Sequence, residues 1–433
     1  MFVSDCLSVN DRGHLTIGGA DTLELAAQFG TPLYAFDETQ IRSTCRRYKA
    51  SIEKYYGGYG RPAYASKAFC CKEMCRIAAS EGMGLDVVSG GELYTALAAG
   101  FPAENIYFHG NNKTPEELAY AIRSGVGHIV ADNIAELDIL EQLASAANAH
   151  QKVLFRVKPG VDAHTHDFVK TGCIDSKFGF ALETGEAFES IRRAASLSCL
   201  VVEGIHCHIG SQIFDIDPFE LAAERMLGLA AKVRDELGFE METLNMGGGI
   251  GIKYLPTDDP QSYEIFLERI SAAIEANCTK HNLKKPFLVI EPGRSIVAPA
   301  GITIYKVGAV KEIPGIRTYV SVDGGMTDNP RYALYQSKYD MMIANKATET
   351  KSQSVTVAGR CCESGDLLGE DVPLQKAQVG DTLAVLATGA YNYSMASHYN
   401  RVPKAAVVMI GENSEPRVIV KRESYEDLLR SDI

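Results

Sequence analysis

The sequence predicts a closed (β/α)₈ barrel combined with a second, discontinuous all-β domain. Eight short apolar runs of strand length follow one another between residues 62 and 294, and each is followed by a helical pattern. Eight strand–helix units in about 250 residues match the usual length of such a barrel. After residue 297, strand-like segments follow one another without helical spacers. We therefore predict a barrel domain at 36–296 and a β domain formed by 1–35 and 297–433.

The N-terminal part of the chain is predicted to contain short strands followed by a long helix. Residues 1–35 alternate in the manner of strands, with Gly18-Gly19 as a turn, and we expect them to join the β domain. Asp37 is a good N-cap, so a long helix should begin after it. Later helical patterns lie at 72–79, 91–99, 115–124, 134–147, 218–237 and 263–278.

The eight apolar runs end on polar residues or glycines. Because the C-terminal ends of barrel strands form the mouth where chemistry occurs, these residues should converge on one rim. A polar loop at 161–180 follows the fifth strand and is expected to cover the substrate. The strand-end residues are Lys67, Asp86, His109, Asp132, Arg156 to Lys158, His208, Gly247 to Gly249 and Glu291.

Composition limits the classes of function. The chain has 433 residues, 46% hydrophobic and 23% charged, as in soluble globular proteins. A net charge of −12 argues against nucleic acid or an anionic membrane as a partner. The N-terminus lacks the features of a signal peptide, and the longest uncharged stretch, 382–400, is too polar to span a membrane. Eleven irregularly spaced cysteines favour reduced thiols in the cytoplasm.

Lys67 is the first candidate catalytic residue. It closes the first barrel strand, where partial desolvation would suit an amine to covalent bonding with a carbonyl group. Spacing alone also permits a lysine that simply points into solvent.

The triple glycine Gly247-Gly248-Gly249 follows the seventh strand. Backbone N–H groups in a glycine run can approach a phosphate closely, and barrels often bind phosphate after strands seven and eight. The dinucleotide fingerprint fails because position 252 is Ile252 rather than glycine. Ser211 could add a hydroxyl group to the same anion. The alternative is a tight turn.

Glu291-Pro292-Gly293-Arg294 ends the eighth strand. A buried carboxylate needs a cationic partner, and a protonated pyridine nitrogen would serve. Arg294 offers a planar fork for a carboxylate or phosphate. An internal Glu291–Arg294 ion pair is the alternative.

His206 and His208 share one face of the sixth strand. Without a nearby carboxylate or a third ligand they fall short of a zinc set, so we predict no metal site. An aromatic cofactor ring lying against His208 is the better functional interpretation. Cys362 and Glu363 could form a proton-donating pair, although adjacent cysteines commonly serve packing alone.

These motifs, in this order, resemble those of the fold-type III decarboxylases that use pyridoxal 5'-phosphate (PLP). The resemblance rests on Lys67, His208-Ile-Gly-Ser211, the triple glycine, Glu291-Pro-Gly-Arg294, Cys362-Glu363-Ser-Gly-Asp366 and Gly389-Ala-Tyr391. It covers nearly the whole chain. Further distinguishing stretches are His109-Gly-Asn-Asn-Lys113, Asp86 to Leu93 and Gly325 to Tyr335.

The resemblance implies a role for each matching position. It makes Lys67 the cofactor-bearing lysine, His208 the residue stacked on the ring, Glu291 the partner of the pyridine nitrogen and Cys362 the proton donor. The implied cofactor contacts are Lys67, Asp86, His208, Ser211, Gly248, Gly249, Glu291, Pro292, Gly293, Arg294 and Tyr391. The implied substrate contacts are Arg294, Arg331, Tyr335, Glu363 and Tyr391. It also implies a homodimer in which Cys362 serves the partner's site.

Arg331 together with Glu363 favours an amino-acid substrate that carries both charges at its far end. The resemblance thus implies decarboxylation of meso-2,6-diaminopimelate to L-lysine and CO₂, the last step of lysine biosynthesis. The alternatives are a decarboxylase acting on ornithine, arginine or carboxynorspermidine, a barrel enzyme like alanine racemase, and a non-catalytic homologue. The last would be expected to have lost Lys67 and Cys362, and both are present.

Overall fold

The computed structural model describes residues 2–162 and 175–433, so the central part of the loop predicted to cover the substrate lies outside the described residues. Contacts divide the chain into a barrel unit, Thr44–Gly251 with Pro260–Gly293, and a sheet unit, Met1–Ser43 with Ile252–Asp259 and Arg294–Ile433. The sheet unit therefore takes a few residues at each end of the predicted barrel range, and a short inner segment as well.

The N-terminal segment contains a helix that the sequence analysis missed. Three short antiparallel strands, β1 (Leu7–Val9), β2 (Leu15–Ile17) and β3 (Ala20–Asp21), form a small sheet. Helix α1 (Thr22–Phe29) follows, and Asp21 caps it by accepting a hydrogen bond from the Leu23 backbone N–H at 2.8 Å. The prediction that 1–35 consists of strands is wrong here, because two helical turns are too short to show a clear period of 3.6.

The next two elements were predicted. Strand β4 spans Leu33–Asp37 and helix α2 spans Glu38–Tyr56. Oδ1 of Asp37 accepts hydrogen bonds from the backbone N–H groups of Thr39 at 2.8 Å and Gln40 at 3.3 Å, so Asp37 is the N-cap.

The barrel unit contains the predicted closed sheet of parallel strands. The ring strands are β5 (Gly60–Ala65), β6 (Gly84–Val87), β7 (Ile106–Phe108), β8 (His128–Ala131), β9 (Gln151–Lys158), β11 (Leu200–His206), β12 (Thr243–Asn245) and β13 (Phe287–Ile290). Neighbouring strands pair in parallel around the ring. The last strand, β13, pairs with the first, β5, and β8 pairs with β9. The two-residue strand β10 (Phe180–Ala181) pairs with β9 outside the ring.

Helices separate the barrel strands, and the six predicted ones are confirmed to within a few residues. The sequence analysis missed α7, which carries no strong capping residue. The side chains of Ser89, Thr114 and Asn133 cap three of the others. The helices are α3 (Lys72–Ser80), α4 (Gly90–Ala98), α5 (Pro115–Arg123), α6 (Ile134–Ala146), α7 (Glu186–Ala195), α8 (Asp217–Leu237) and α9 (Tyr263–His281).

In the sheet unit, the N-terminal strand β4 pairs with strands from the C-terminal part of the chain. Strand β4 lies between β14, to which it is antiparallel, and β20, to which it is parallel. The main path of the sheet runs β18-β17-β15-β14-β4-β20-β21, and β19 joins β14 to β16. The elements after the barrel are α10 (Arg294–Val297), β14 (Gly301–Ile313), β15 (Arg317–Val322), α11 (Arg331–Tyr335), β16 (Met341–Ile343), β17 (Gln353–Ala358), β18 (Leu367–Leu374), β19 (Thr382–Val385), β20 (Ala406–Ile410), β21 (Pro416–Val420) and α12 (Tyr425–Leu429).

Among residues 2–162 and 175–433, no helix has both the length and the apolar character that crossing a bilayer requires.

Candidate active site

Lys67 lies at the end of the first barrel strand. It is the middle residue of the 3₁₀ turn Ser66–Ala68 that directly follows β5. Its side chain is exposed, whereas Ser66 and Ala68 on either side are buried. The Ser66 hydroxyl donates a 2.8 Å hydrogen bond to Glu92 Oε2, which fixes the turn. The fold therefore holds a rigid backbone and presents one accessible amine.

Glu291 lies at the end of the eighth strand, buried within a cluster of hydrogen-bonding side chains. Asn245 Nδ2 donates to its Oε1 at 2.6 Å, and His109 Nε2 lies 2.7 Å from the same oxygen. His206 Nε2 lies 3.2 Å from Oε2. All four residues come from the ends of different barrel strands, so the closed topology brings them together.

The charge of Glu291 is supported by this cluster. Burial by itself raises the pKa of a carboxyl group, but His109 and then His206 outweigh it and hold the pKa of Glu291 well below its ordinary value. Burial lowers the pKa of His206 to about 4, so this imidazole is neutral near pH 7. The barrel thus contains a buried carboxylate that stays ionised.

Asp86, at the end of the second strand, is buried beside this cluster. Its Oδ1 has no hydrogen-bond partner among the described residues and lies 3.8 Å from His109 Nε2. Burial raises the pKa of Asp86 to about 6, and the charges of His109 and Lys67 oppose the rise. Asp86 is therefore positioned to accept a hydrogen bond from a bound molecule.

His208 and the triple glycine lie next to each other. Gly248 donates its backbone N–H to His208 Nδ1 at 3.3 Å. Burial and the nearby Lys67 cation hold the pKa of His208 well below its ordinary value, so the ring is neutral. A Cβ on Gly248 would lie 2.1 Å from the Glu291 carbonyl oxygen, so only glycine fits there. Ser211 is partly exposed in the same unit.

Pro292 and Gly293 follow the eighth barrel strand and contact the end of the first strand, next to the turn that carries Lys67. The Ala65 backbone N–H donates to the Pro292 carbonyl at 3.2 Å. A Cβ on Gly293 would lie 2.9 Å from the Ala65 Cβ, so this glycine permits the close approach of the two strand ends. Both residues position the backbone beside the lysine turn.

The sheet unit holds a second cluster, built from two arginines and three tyrosines. Arg294 Nη1 donates to Tyr254 Oη at 2.6 Å, and Arg331 Nη1 donates to Tyr339 Oη at 2.7 Å and to Tyr254 Oη at 3.2 Å. The guanidinium carbon of Arg294 lies 4.7 Å from the centre of the Tyr391 ring. Both arginines are 7% exposed. This cluster combines buried positive charge with hydroxyl groups, which suits an anionic ligand.

No ion pair of Arg331 with a carboxylate occurs within the described part of the chain. Although burial opposes it, the pKa of Tyr254 is held below its ordinary value by the two guanidinium groups. Tyr335 ends the short helix α11 that Arg331 begins, and its side chain is partly exposed. Arg331 is therefore a buried cation whose described hydrogen-bond partners are phenols.

Cys362 and Glu363 lie in an exposed turn of the sheet unit. The Cys362 backbone N–H donates to Asn400 Oδ1 at 2.8 Å, and Tyr399 Oη donates to Glu363 Oε2 at 3.3 Å. Among the described hydrogen bonds of Glu363, none reaches the arginine–tyrosine cluster. Within one chain the structure therefore does not join this pair to that cluster.

Sequence reasoning missed several residues that complete these clusters. It treated His206 and His208 as lacking a carboxylate and a third ligand, which is wrong for His206, because Glu291 and His109 lie beside it. The ligand-type atoms of His109, His206 and Glu291 lie within 4.8 Å of one another; His206 is hydrogen-bonded to Glu291, and His109 lies at ion-pair distance from it. Tyr254 and Tyr339 carried no motif, and only the fold reveals them.

The barrel residues fit PLP, the cofactor that the resemblance implies. An accessible lysine amine matches its aldehyde, and the buried Glu291 carboxylate matches its pyridine nitrogen. The neutral His208 ring is suited to an aromatic face. Backbone N–H groups of the triple glycine and the hydroxyl of Ser211 are suited to phosphate. The unpartnered Oδ1 of Asp86 offers one further acceptor.

Comparison with known proteins agrees with this fit. The family model described as pyridoxal-dependent decarboxylase, pyridoxal binding domain, matches residues 38–298. Diaminopimelate decarboxylase of Bacillus subtilis is 48% identical over 433 residues, covering 100% of this chain and 98% of the relative. Diaminopimelate decarboxylase of Staphylococcus aureus is 44% identical over 424 residues, covering 98% of each chain.

A solved structure extends the likeness to the whole fold. The crystal structure of diaminopimelate decarboxylase from M. jannaschii in complex with L-lysine has a TM-score of 0.91 and 36% identity, covering 100% of this chain and 99% of that one. The lysine/ornithine decarboxylase of Vibrio vulnificus, at 23% identity and a TM-score of 0.76, shares the fold. The chain belongs to the diaminopimelate decarboxylase family of pyridoxal-dependent decarboxylases.

Proposed function

We propose that this protein catalyses the PLP-dependent decarboxylation of meso-2,6-diaminopimelate to L-lysine and CO₂, the last step of lysine biosynthesis. One observation carries the proposal: an exposed lysine and a buried, ionised glutamate end the first and eighth strands of one barrel, which pair with each other. The likeness over the full length to two diaminopimelate decarboxylases supports the choice of reaction.

In this proposal the barrel residues hold the cofactor and control its charge. Lys67 would bind its aldehyde carbon, His208 would contact its ring, and the triple glycine and Ser211 would hold its phosphate. When bound, PLP withdraws the electron pair that the departing carboxylate leaves behind. Glu291 would favour a protonated ring nitrogen, because it is a buried carboxylate that stays ionised.

The sheet unit contributes the residues for the substrate and for the proton. Arg331 and Arg294 bind carboxylate or phosphate oxygens, since their guanidinium groups are buried and aligned by Tyr254, Tyr339 and Tyr391. Glu363 binds the distal ammonium group, and Tyr335 is a further substrate contact that the resemblance implies. The thiol of Cys362 supplies the proton that replaces CO₂ on the substrate carbon.

The exposure of Cys362 supports a further part of the proposal. The donor of the proton must reach a site from which water is excluded. The turn that carries Cys362, however, lies at the surface of its own sheet unit. We include in the proposal a homodimer in which each Cys362 and Glu363 serves the site of the other subunit. We also include a cytoplasmic location.

A substrate panel tests the proposal. Purified protein reconstituted with PLP should release CO₂ from meso-2,6-diaminopimelate and far less from L-ornithine, L-arginine or L-lysine. The difference in turnover should be large. The other three substrates have no second carboxylate, so a buried arginine would lack its partner when they bind. Preferred turnover of ornithine or arginine would replace the proposed substrate, and no turnover of any of the four would overturn the proposal.

A further inference from the structure

The proposed function assigns no role to the sequence motif His109-Gly-Asn-Asn-Lys113. His109 follows strand β7 and is 4% exposed. The chain after it is anchored by Lys113, whose Nζ donates to the carbonyls of Gly110 at 2.7 Å and Val130 at 2.8 Å and lies 2.9 Å from Glu136. The backbone at His109 is therefore held firmly, which fixes where its imidazole points.

The Nε2 atom of that imidazole lies at ion-pair distance from two carboxyl groups, without a hydrogen bond of regular geometry to either. Its Nε2 lies 2.7 Å from Glu291 Oε1 and 3.8 Å from Asp86 Oδ1. Two acids around one buried imidazole favour its protonated form. Arg156 of β9 also acts on it and opposes a positive charge, and the ring of His206, at the end of β11, packs against it.

The surroundings of the neighbouring His206 favour its neutral form. Its ring meets that of His109 edge to face, with centroids 4.8 Å apart, so protonating both would place two cations in contact. Its Nε2 lies 3.2 Å from Glu291 Oε2, while its Nδ1 has no hydrogen-bond partner among the described residues. A neutral ring with its proton on Nε2 needs only this one acceptor.

We propose that His109 is a positioning residue that acts through Glu291: as a buried imidazolium it keeps the Glu291 carboxylate ionised and fixed, while His206 supplies a neutral hydrogen bond. The role in turnover rests on the function proposed above, but the protonation states do not. The pKa directions agree, because the two acids outweigh burial and raise the pKa of His109, whereas burial lowers that of His206.

The chain offers a matched control for His109. His128 Nε2 lies 2.7 Å from Glu203 Oε2, the same kind of contact at the same distance. His128 is the first residue of β8, so it lies at the opposite end of the barrel strands from the site. Replacing His128 by Gln removes an equivalent histidine–glutamate contact without touching the proposed machinery.

The first test is a ¹⁵N-histidine NMR titration of the whole protein, with His109→Gln and His206→Gln proteins assigning the two signals. The His109 signal should keep its imidazolium form above the midpoint of free histidine, about 6.5, and the His206 signal should titrate below it. Two signals that titrate alike would overturn the proposal. If neither variant folds, assignment of the histidine signals in the wild-type protein by triple-resonance NMR replaces the two variants, and the same outcomes decide.

The second test is kinetic. For His109→Gln we expect kcat to fall about tenfold with KM and cofactor content near wild type, and the acid limb of the kcat profile to move to higher pH, because Glu291 then binds a proton more readily. His128→Gln should leave the pH profile unchanged. An unshifted acid limb in His109→Gln would contradict this inference alone. Inactive wild-type protein would contradict the proposed function instead.

Discussion

Asn245 Nδ2 donates a 2.6 Å hydrogen bond to Glu291 Oε1, and both side chains are buried in the barrel. Asn245 Oδ1 in turn accepts from the Gly247 backbone N–H at 2.9 Å, which fixes the orientation of the amide. Asn245 can therefore offer Glu291 only a donor. The groups around Glu291 donate hydrogen bonds, so they suit a carboxylate better than an amide.

We predict from this that Glu291→Gln lowers kcat by about 10²-fold or more, while cofactor binding weakens much less. An amide cannot hold the ring nitrogen protonated, and its NH₂ group would face the donor of Asn245 or His206. Steady-state kinetics and the spectrum of bound cofactor measure the two effects separately. Glu203→Gln, which removes the carboxylate facing His128, is the control and should retain turnover. Near-normal activity of Glu291→Gln would show that this carboxylate serves the structure alone.

The second prediction concerns Lys67. Borohydride reduction of the holoenzyme, followed by peptide mapping, should find the cofactor on this residue, because it is the exposed amine that ends the first barrel strand. Lys72, five positions later, is also exposed and begins helix α3, so it serves as an internal control for non-specific labelling. A label on Lys72 or any other lysine would refute the assignment.

The third prediction concerns substrate recognition by Arg331. Arg331→Lys should raise KM for meso-2,6-diaminopimelate about 10- to 100-fold, since a charge-assisted hydrogen bond contributes about 1.5–3 kcal/mol and lysine cannot reproduce the planar fork. Arg317→Lys is the matched control, because Arg317 forms an exposed ion pair with Glu370 at 2.7 Å in the same unit. An unchanged KM in Arg331→Lys would remove this arginine from the substrate site.

The fourth prediction tests the proposed shared site. Lys67→Ala and Cys362→Ala proteins should each be inactive, yet their mixture should regain about a quarter of wild-type activity. Random exchange makes half the dimers mixed, and in each mixed dimer one of the two sites carries neither lesion. If mass spectrometry detects mixed dimers and no activity returns, Cys362 serves the site of its own chain.

Much of the barrel could be predicted because strands buried on both faces appear as apolar runs in the sequence. The runs ending near Lys67, Asp86 and Glu291 all became barrel strands. Helix α1 could not be predicted in the same way. It is two turns long, so its apolar residues did not repeat often enough to distinguish it from the strands around it.

The candidate site was only half predictable, for a different reason. Residues with distinctive chemistry beside glycine or proline, such as Glu291, carry a local signature. Asn245, which donates to Glu291, carries no such signature. His109 was expected on the same rim, but its contact with Glu291 arises only because the barrel closes. The same holds for Tyr254 and Tyr339, whose contact with Arg331 depends on the folded sheet unit.

The most direct test of the central claim is a mass balance on meso-2,6-diaminopimelate. The wild-type holoenzyme and the Lys72→Ala control should form one CO₂ and one L-lysine for each substrate consumed, and Lys67→Ala should form neither. Release of CO₂ without an equal amount of L-lysine, or sustained turnover by Lys67→Ala, would contradict the account.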